Sequence, residues 1–189
     1  MSLLIIPSPG WAHGDHQPVP PPAIADSPPT TLAAPRLPDV EVLDQHGRAL
    51  RFKRDLIQDK LVVVSFIYTS CPAICSPLTA NLKQARDLLD PTLAERVRFI
   101  SISVDPQADT SAALKAYAAQ HGIDGDWAFV TGQPAKLRAI QKAFAVETTR
   151  KADHTPLVFI GNETRRMWTR KFGLAPPAAI AAAIVELAR

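Results

Sequence analysis

Apolar residues follow two rhythms along this chain, and the change from one to the other marks out its elements. Leu61-Val62-Val63-Val64-Ser65-Phe66-Ile67-Tyr68 is apolar at nearly every position, the pattern of a strand covered on both faces in a parallel sheet flanked by helices. Leu78, Leu82, Ala85 and Leu89 then step by four, three and four residues, which lays one apolar stripe along a helix beginning after Pro77. From Val97 to Val104, Ile100, Ile102 and Val104 alternate with Ser101 and Ser103, a strand period. A second helix is predicted from about Thr110 to Gln120, with Gly122 as its stop. Ala128-Phe129-Val130 reads as a short strand, and Leu137, Ile140 and Phe144 mark a third helix whose polar face carries Lys136, Arg138 and Lys142. Leu157 to Ile160 and Arg166 to Lys171 read as two strands joined through Gly161-Asn162-Glu163-Thr164, and Pro176-Pro177 opens a last helix with Ile180, Ile184 and Leu187 inward. Ahead of all these, Val40 to Leu43 and Ala49 to Phe52 flank Asp44-Gln45-His46-Gly47, the pattern of a hairpin.

With right-handed crossovers, this order places helices on both faces of a mixed sheet. The fold class expected is therefore α/β. It is a thioredoxin-like mixed β-sheet with an N-terminal β-hairpin and an insertion before the last strands. In that arrangement the Leu157 strand runs antiparallel, so it starts at the edge where the parallel strands end.

The 189 residues, 47% hydrophobic, suffice for one sizeable core. Ten of the 18 prolines fall at or before Pro38, a density that forbids helix or central strand. Residues 1–37 are thus expected to be an apolar N-terminus followed by a disordered Pro-rich tether, and residues 38–189 the domain. Leu3-Leu4-Ile5-Ile6, followed by Gly10-Trp11-Ala12, resembles the end of a secretory signal. Export is expected on this basis, to the periplasm or the outer face of the inner membrane. The apolar stretch is too short to span a bilayer, so membrane association is expected only through a missing or cleaved N-terminal segment. A net charge of +3 is modest, Lys and Arg read as scattered, and aromatics are 6%. No nucleic-acid partner is expected.

Candidate chemistry centres on the only two cysteines, Cys71 and Cys75, in Ser70-Cys71-Pro72-Ala73-Ile74-Cys75. They fall where a strand hands over to a helix N-terminus, whose unpaired N–H groups and dipole favour thiolate. As an inert staple the pair would do little, since closing so short a loop stabilises by only about 2 kcal/mol on the chain-entropy model. Ligands of open α/β sheets bind at the carboxyl ends of the parallel strands. Asp105 and Asp109 follow a second such end, after Val104, and Asp153-His154-Thr155-Pro156 precedes the antiparallel strand at the same edge. His154 could therefore meet the cysteines. Two thiolates and an imidazole select soft copper as Cu(I) and keep Cu(II) accessible. A lone loop histidine is more often an ordinary surface residue, Asp105-Pro106 also reads as a turn opener, and Asp109 as a cap for the next helix. A functional role for the two aspartates would be electrostatic or partner-facing. Trp127 and Trp168 read as core or strand residues.

Phe66-Ile67-Tyr68-Thr69-Ser70-Cys71-Pro72-Ala73-Ile74-Cys75, Ser103-Val104-Asp105-Pro106-Gln107-Ala108-Asp109 and Asp153-His154, in this order, resemble the Sco/SenC family of copper chaperones over roughly Pro38 to Arg189. The resemblance implies a membrane-tethered or periplasmic metallochaperone that carries copper through Cys71, Cys75 and His154. It also implies delivery to the dinuclear copper centre of cytochrome c oxidase, with reduction of that centre's cysteines as a further role. The partner implied is the copper-receiving subunit of that oxidase, or another copper or thiol protein. Asp105 and Asp109 match the family's acidic pair. Ala73 and Ser76 stand where the family commonly has an acidic residue and a proline. Thr155-Pro156 resembles the cis-proline dipeptide that faces the cysteines of thioredoxin-type oxidoreductases. That likeness keeps a rival open: a thiol–disulfide oxidoreductase with a redox-active disulfide, in which Cys71 attacks and Cys75 resolves.

Overall fold

The computed structural model describes residues 32–148, 150 and 155–189. The apolar N-terminus, the expected tether up to residue 31, Asp153 and His154 lie outside them. Strands β1 (Glu41–Asp44), β2 (Ala49–Arg51), β3 (Leu61–Ile67), β4 (Val97–Ser103), β5 (Ala128–Thr131), β6 (Leu157–Asn162) and β7 (Met167–Phe172) build one sheet in the order β2-β1-β5-β4-β3-β6-β7. β3, β4 and β5 are parallel neighbours; β6 runs antiparallel to β3, and β1 antiparallel to β5. Helices α1 (Cys75–Asp87), α2 (Pro91–Arg96), α3 (Ser111–Gln120), α4 (Pro134–Ala143) and α5 (Pro177–Ala188) complete the chain.

Side chains of β3 alternate between two cores, as the pleat requires. Leu61, Val63 and Ile67 face Leu78 and Leu82 of α1, Leu114 of α3 and Ile184 of α5. Val62, Val64 and Phe66 face Leu137 and Ile140 of α4. The second core also holds an aromatic cluster in which Phe144 meets Phe66, Phe159 and Trp168 at centroid separations of 5.6, 4.9 and 5.7 Å. Trp127 and Trp168 are both buried. β3 is thus covered on both sides, which is why its sequence is apolar without alternation. The expected mixed sheet with helices on both faces is what the chain forms.

Three departures have local causes. Phe52, expected to end the hairpin, instead opens a π-helical turn, Phe52–Ile57, that buries Phe52, Leu56 and Ile57. The short helix α2 was not anticipated, although Asp90-Pro91 signals it: the Asp90 carboxylate accepts from the Leu93 N–H at 3.0 Å and Pro91 occupies the first turn. Packing also reaches back past Pro38. The Leu32 N–H donates to the Trp168 carbonyl at 2.7 Å, and Leu37 is buried in the second core. Among the described residues no helix is long and apolar enough to cross a membrane.

Candidate metal and thiol site

Both cysteines follow the carboxyl end of β3. Tyr68, the last residue of the apolar run, is buried, and the chain turns at Thr69-Ser70 so that the Cys71 N–H donates to the Tyr68 carbonyl at 3.2 Å. Cys75 is the first residue of α1, and neither its flanking residue Ile74 nor any other side chain supplies a capping oxygen. The Cys71 sulfur takes that place. It accepts the Cys75 N–H at 3.3 Å, and the N–H groups of Ala73 and Ile74 also point to it. Unpaired donors at a helix start are thereby satisfied by sulfur instead of oxygen.

This arrangement separates the two thiols chemically. Burial pushes the Cys71 thiol up, but the Cys75 thiol and three backbone N–H groups donating to its sulfur outweigh burial, and its pKa falls from 9.0 to about 7. For Cys75 burial comes first, and its donation to Cys71 adds to it; together they overcome a Tyr68 N–H bond and raise its pKa to about 12. Tyr68 is raised to about 12, chiefly by burial and then by its hydroxyl bond to Cys71. Cys71 is partly exposed whereas Cys75 is fully buried, and both are free thiols. One proton is in effect shared between two sulfurs, with the outer one poised as thiolate near neutral pH.

A buried carboxylate supports the loop. Asp109 accepts the Thr69 N–H at 3.0 Å and the Thr69 hydroxyl at 2.6 Å on one oxygen, and the Ser103 hydroxyl at 2.6 Å on the other. The Ser103 oxygen in turn accepts the Asp105 N–H at 3.0 Å. The turn after β4 is thus tied to the turn carrying Cys71. Two expectations for Asp109 are corrected by this. It does not cap α3, because Thr110 does so through Ala113 N–H at 3.1 Å. Nor does it face a partner, since it is fully buried; a carboxylate with three donors around it is better placed inside than at the surface. Asp105 is half-buried beside it.

Thr155 and Pro156 lie ahead of β6 at the same edge, and they are joined in trans, as every described peptide is. The cis linkage expected from the oxidoreductase likeness is therefore not formed. Trans is the cheaper isomer for X–Pro by about 0.5–1 kcal/mol, and here the buried Pro156 presents its carbonyl to the Gly173 N–H at 2.7 Å. Among the described residues no three His, Cys, Asp or Glu side chains form a metal-holding group. His46 is exposed in the hairpin turn, and His121, at the end of α3, packs against Tyr117 with the rings tilted by 51° and their centroids 4.6 Å apart.

Fold and site together define a class: a thioredoxin-like protein with an asymmetric dithiol at a strand–helix junction. The chain belongs to the SCO1/SenC family, whose model matches residues 31–189. Among solved structures, copper-bound ScoI of Bradyrhizobium japonicum is 26% identical, with 78% of this chain and 96% of that one covered at a TM-score of 0.59. A SCO1/SenC family lipoprotein of Bacillus anthracis is 24% identical over 84% and 98% of the two chains, TM-score 0.71. BsSco, a member of the Sco family of cytochrome c oxidase assembly proteins in which a disulfide switch has been identified, is 22% identical over 84% and 96%, TM-score 0.69. Curated relatives match over shorter stretches, the first at 39% identity over 79 residues, and the chain spans 37–52% of their own lengths.

Proposed function

We propose that this protein carries copper on Cys71 and Cys75, with His154 as third ligand, and delivers it to the dinuclear copper centre of cytochrome c oxidase. The observation that carries the reading is the paired sulfurs at the start of α1, one of them held as a thiolate near neutral pH and open to solvent. Soft sulfur suits Cu(I), and an imidazole would keep Cu(II) within reach. A copper-bound relative and a relative from a family of cytochrome c oxidase assembly proteins support the same direction. A soft cation replaces the proton shared by the two sulfurs, so loading releases protons and strengthens as pH rises through about 7. Transfer runs by ligand exchange to the thiols of the receiving subunit. The protein works outside the cytoplasm, in the periplasm or at the outer face of the inner membrane, consistent with the leader-like N-terminus. The test is copper titration of the reduced protein and of His154→Ala, followed by thiolate-to-metal charge-transfer absorption. Cu(II) affinity should fall at least about tenfold in the variant with the fold unchanged; equal affinity overturns the ligand set.

The thiol asymmetry favours a second reading, thiol–disulfide exchange. The Cys71 thiolate attacks a client disulfide and Cys75 resolves the mixed disulfide. The client takes two electrons and two protons, and a Cys71–Cys75 disulfide is left. Turnover of a protein disulfide in copper-free buffer, abolished by Cys71→Ser, supports it; no turnover excludes it.

A further inference from the structure

Lys and Arg are scattered along the sequence, but the fold gathers six of them at one pole. β3 runs from Leu61 at this pole to Ile67 below the cysteines, β4 begins here after Arg96, and β6 and β7 meet here at the Glu163–Arg166 turn. Arg36, Lys53 and Arg166 line a surface hollow of about 550 Å³ with Asp59 and Glu163. Lys60, Arg96 and Arg165 line a second, of about 430 Å³, and Asp59 and Thr164 belong to both, so the two are continuous. Six cations thus meet two carboxylates on one face of a chain whose whole net charge is +3, which leaves the remainder close to neutral.

No carboxylate among the described residues neutralises these cations, although the Lys60 ammonium donates to the Gln58 carbonyl at 3.2 Å. Arg48, Arg51, Arg98 and Lys136 each hold a carboxylate elsewhere, whereas none of the six forms an ion pair among the described residues. Arg166 closes the β6–β7 turn with φ of 55°, a left-handed conformation that favours glycine, and its N–H donates to the Glu163 carbonyl at 3.1 Å. Arg165 and Arg166 both stand exposed at the tip. Strain accepted at Arg166 points to a use for its side chain.

We propose that this basic pole docks on anionic lipid headgroups, holding the cysteine edge away from the bilayer; the proposal rests on the exported reading above. Ala34, Pro35, Arg36 and Leu37 form one wall of the first hollow, so the first described stretch of the chain runs along this face. A related family member is a lipoprotein. Shallow, open hollows with spread cations suit a plane of headgroups better than one enclosed anion. Each basic residue near an anionic surface strengthens binding roughly fivefold, and salt screens the effect.

The test uses the full copper-free chain and vesicles of phosphatidylcholine with and without phosphatidylglycerol, in a sedimentation assay at low and raised salt. Binding is expected to the anionic vesicles only and to weaken with salt. It should fall at least about tenfold in Arg165→Glu/Arg166→Glu but little in Lys115→Glu/Lys142→Glu, a matched change on exposed α3 and α4 positions. Equal uptake by zwitterionic vesicles, equal loss in both variants, or retention on DNA or an acidic peptide without vesicle uptake would each overturn it. Copper titration of the same samples keeps the two claims apart, because vesicle docking can fail while metal binding persists, and the reverse.

Discussion

At Cys71 one sulfur does two jobs: it caps α1 and it is the exposed nucleophile or ligand. Because its folded pKa of about 7 lies below the unfolded 9.0, the reduced native protein holds fewer protons than the unfolded chain between those values. That contribution to stability is present in full above about 9 and is lost as pH falls through about 7. Cys75 acts oppositely above 9.0, since its folded value is about 12 and the native state then keeps the extra proton. Reduced protein should accordingly be most stable near pH 9 in urea titrations. Alkylation of Cys71 should show a midpoint near pH 7, moving up in Cys75→Ala, where the donor thiol is gone; a wild-type midpoint near 9 would refute the arrangement. Asp109→Asn removes acceptor capacity from a buried triad with Thr69 and Ser103. It should cost roughly 1–3 kcal/mol in urea unfolding and slow metal uptake by loosening the Cys71 turn. An unchanged midpoint would mean that the clamp carries no energy.

The elements around the site are held at fixed spacing by a close approach between α1 and the end of β7. A Cβ built on Gly173 would lie 1.9 Å from the Leu78 side chain and 3.1 Å from the Pro156 carbonyl oxygen. Gly173→Ala must therefore push aside the buried Leu78 side chain, and should destabilise by about 1–3 kcal/mol in thermal unfolding. Should the midpoint stay put, Leu78 swings aside freely and the spacing is not critical. Elements of this kind differ in how legible they were. β3 and α1 announced themselves because burial on two faces and on one stripe leave different apolar periods. α2 was readable from Asp90-Pro91 but is too short to show a period. The π-helical turn was not readable, since Phe52-Lys53-Arg54-Asp55 is held by Asp39, whose carboxylate accepts the Lys53 and Arg54 N–H groups at 3.1 and 3.0 Å.

On the scale of the whole molecule, residues 32–37 belong to the packed unit. A chain starting at residue 38 should unfold at lower denaturant than one starting at 32, by about 2 kcal/mol, since it forfeits burial of Leu37 and the Leu32 pairing. Equal stability would place the boundary back at Pro38. Order and type of the main elements, the strand–helix junction under the two sulfurs and the likeness to a copper-carrying family were all written in local patterns of residues, because periodicity and short motifs are local properties. Convergence was not local. Which sulfur becomes the thiolate depends on N–H groups assembled only when α1 starts at Cys75; the Asp109 clamp joins residues from two strand ends, and the basic pole collects six cations from five separate places in the chain. Such features arise from distances across the fold, and no reading along the chain contains those distances.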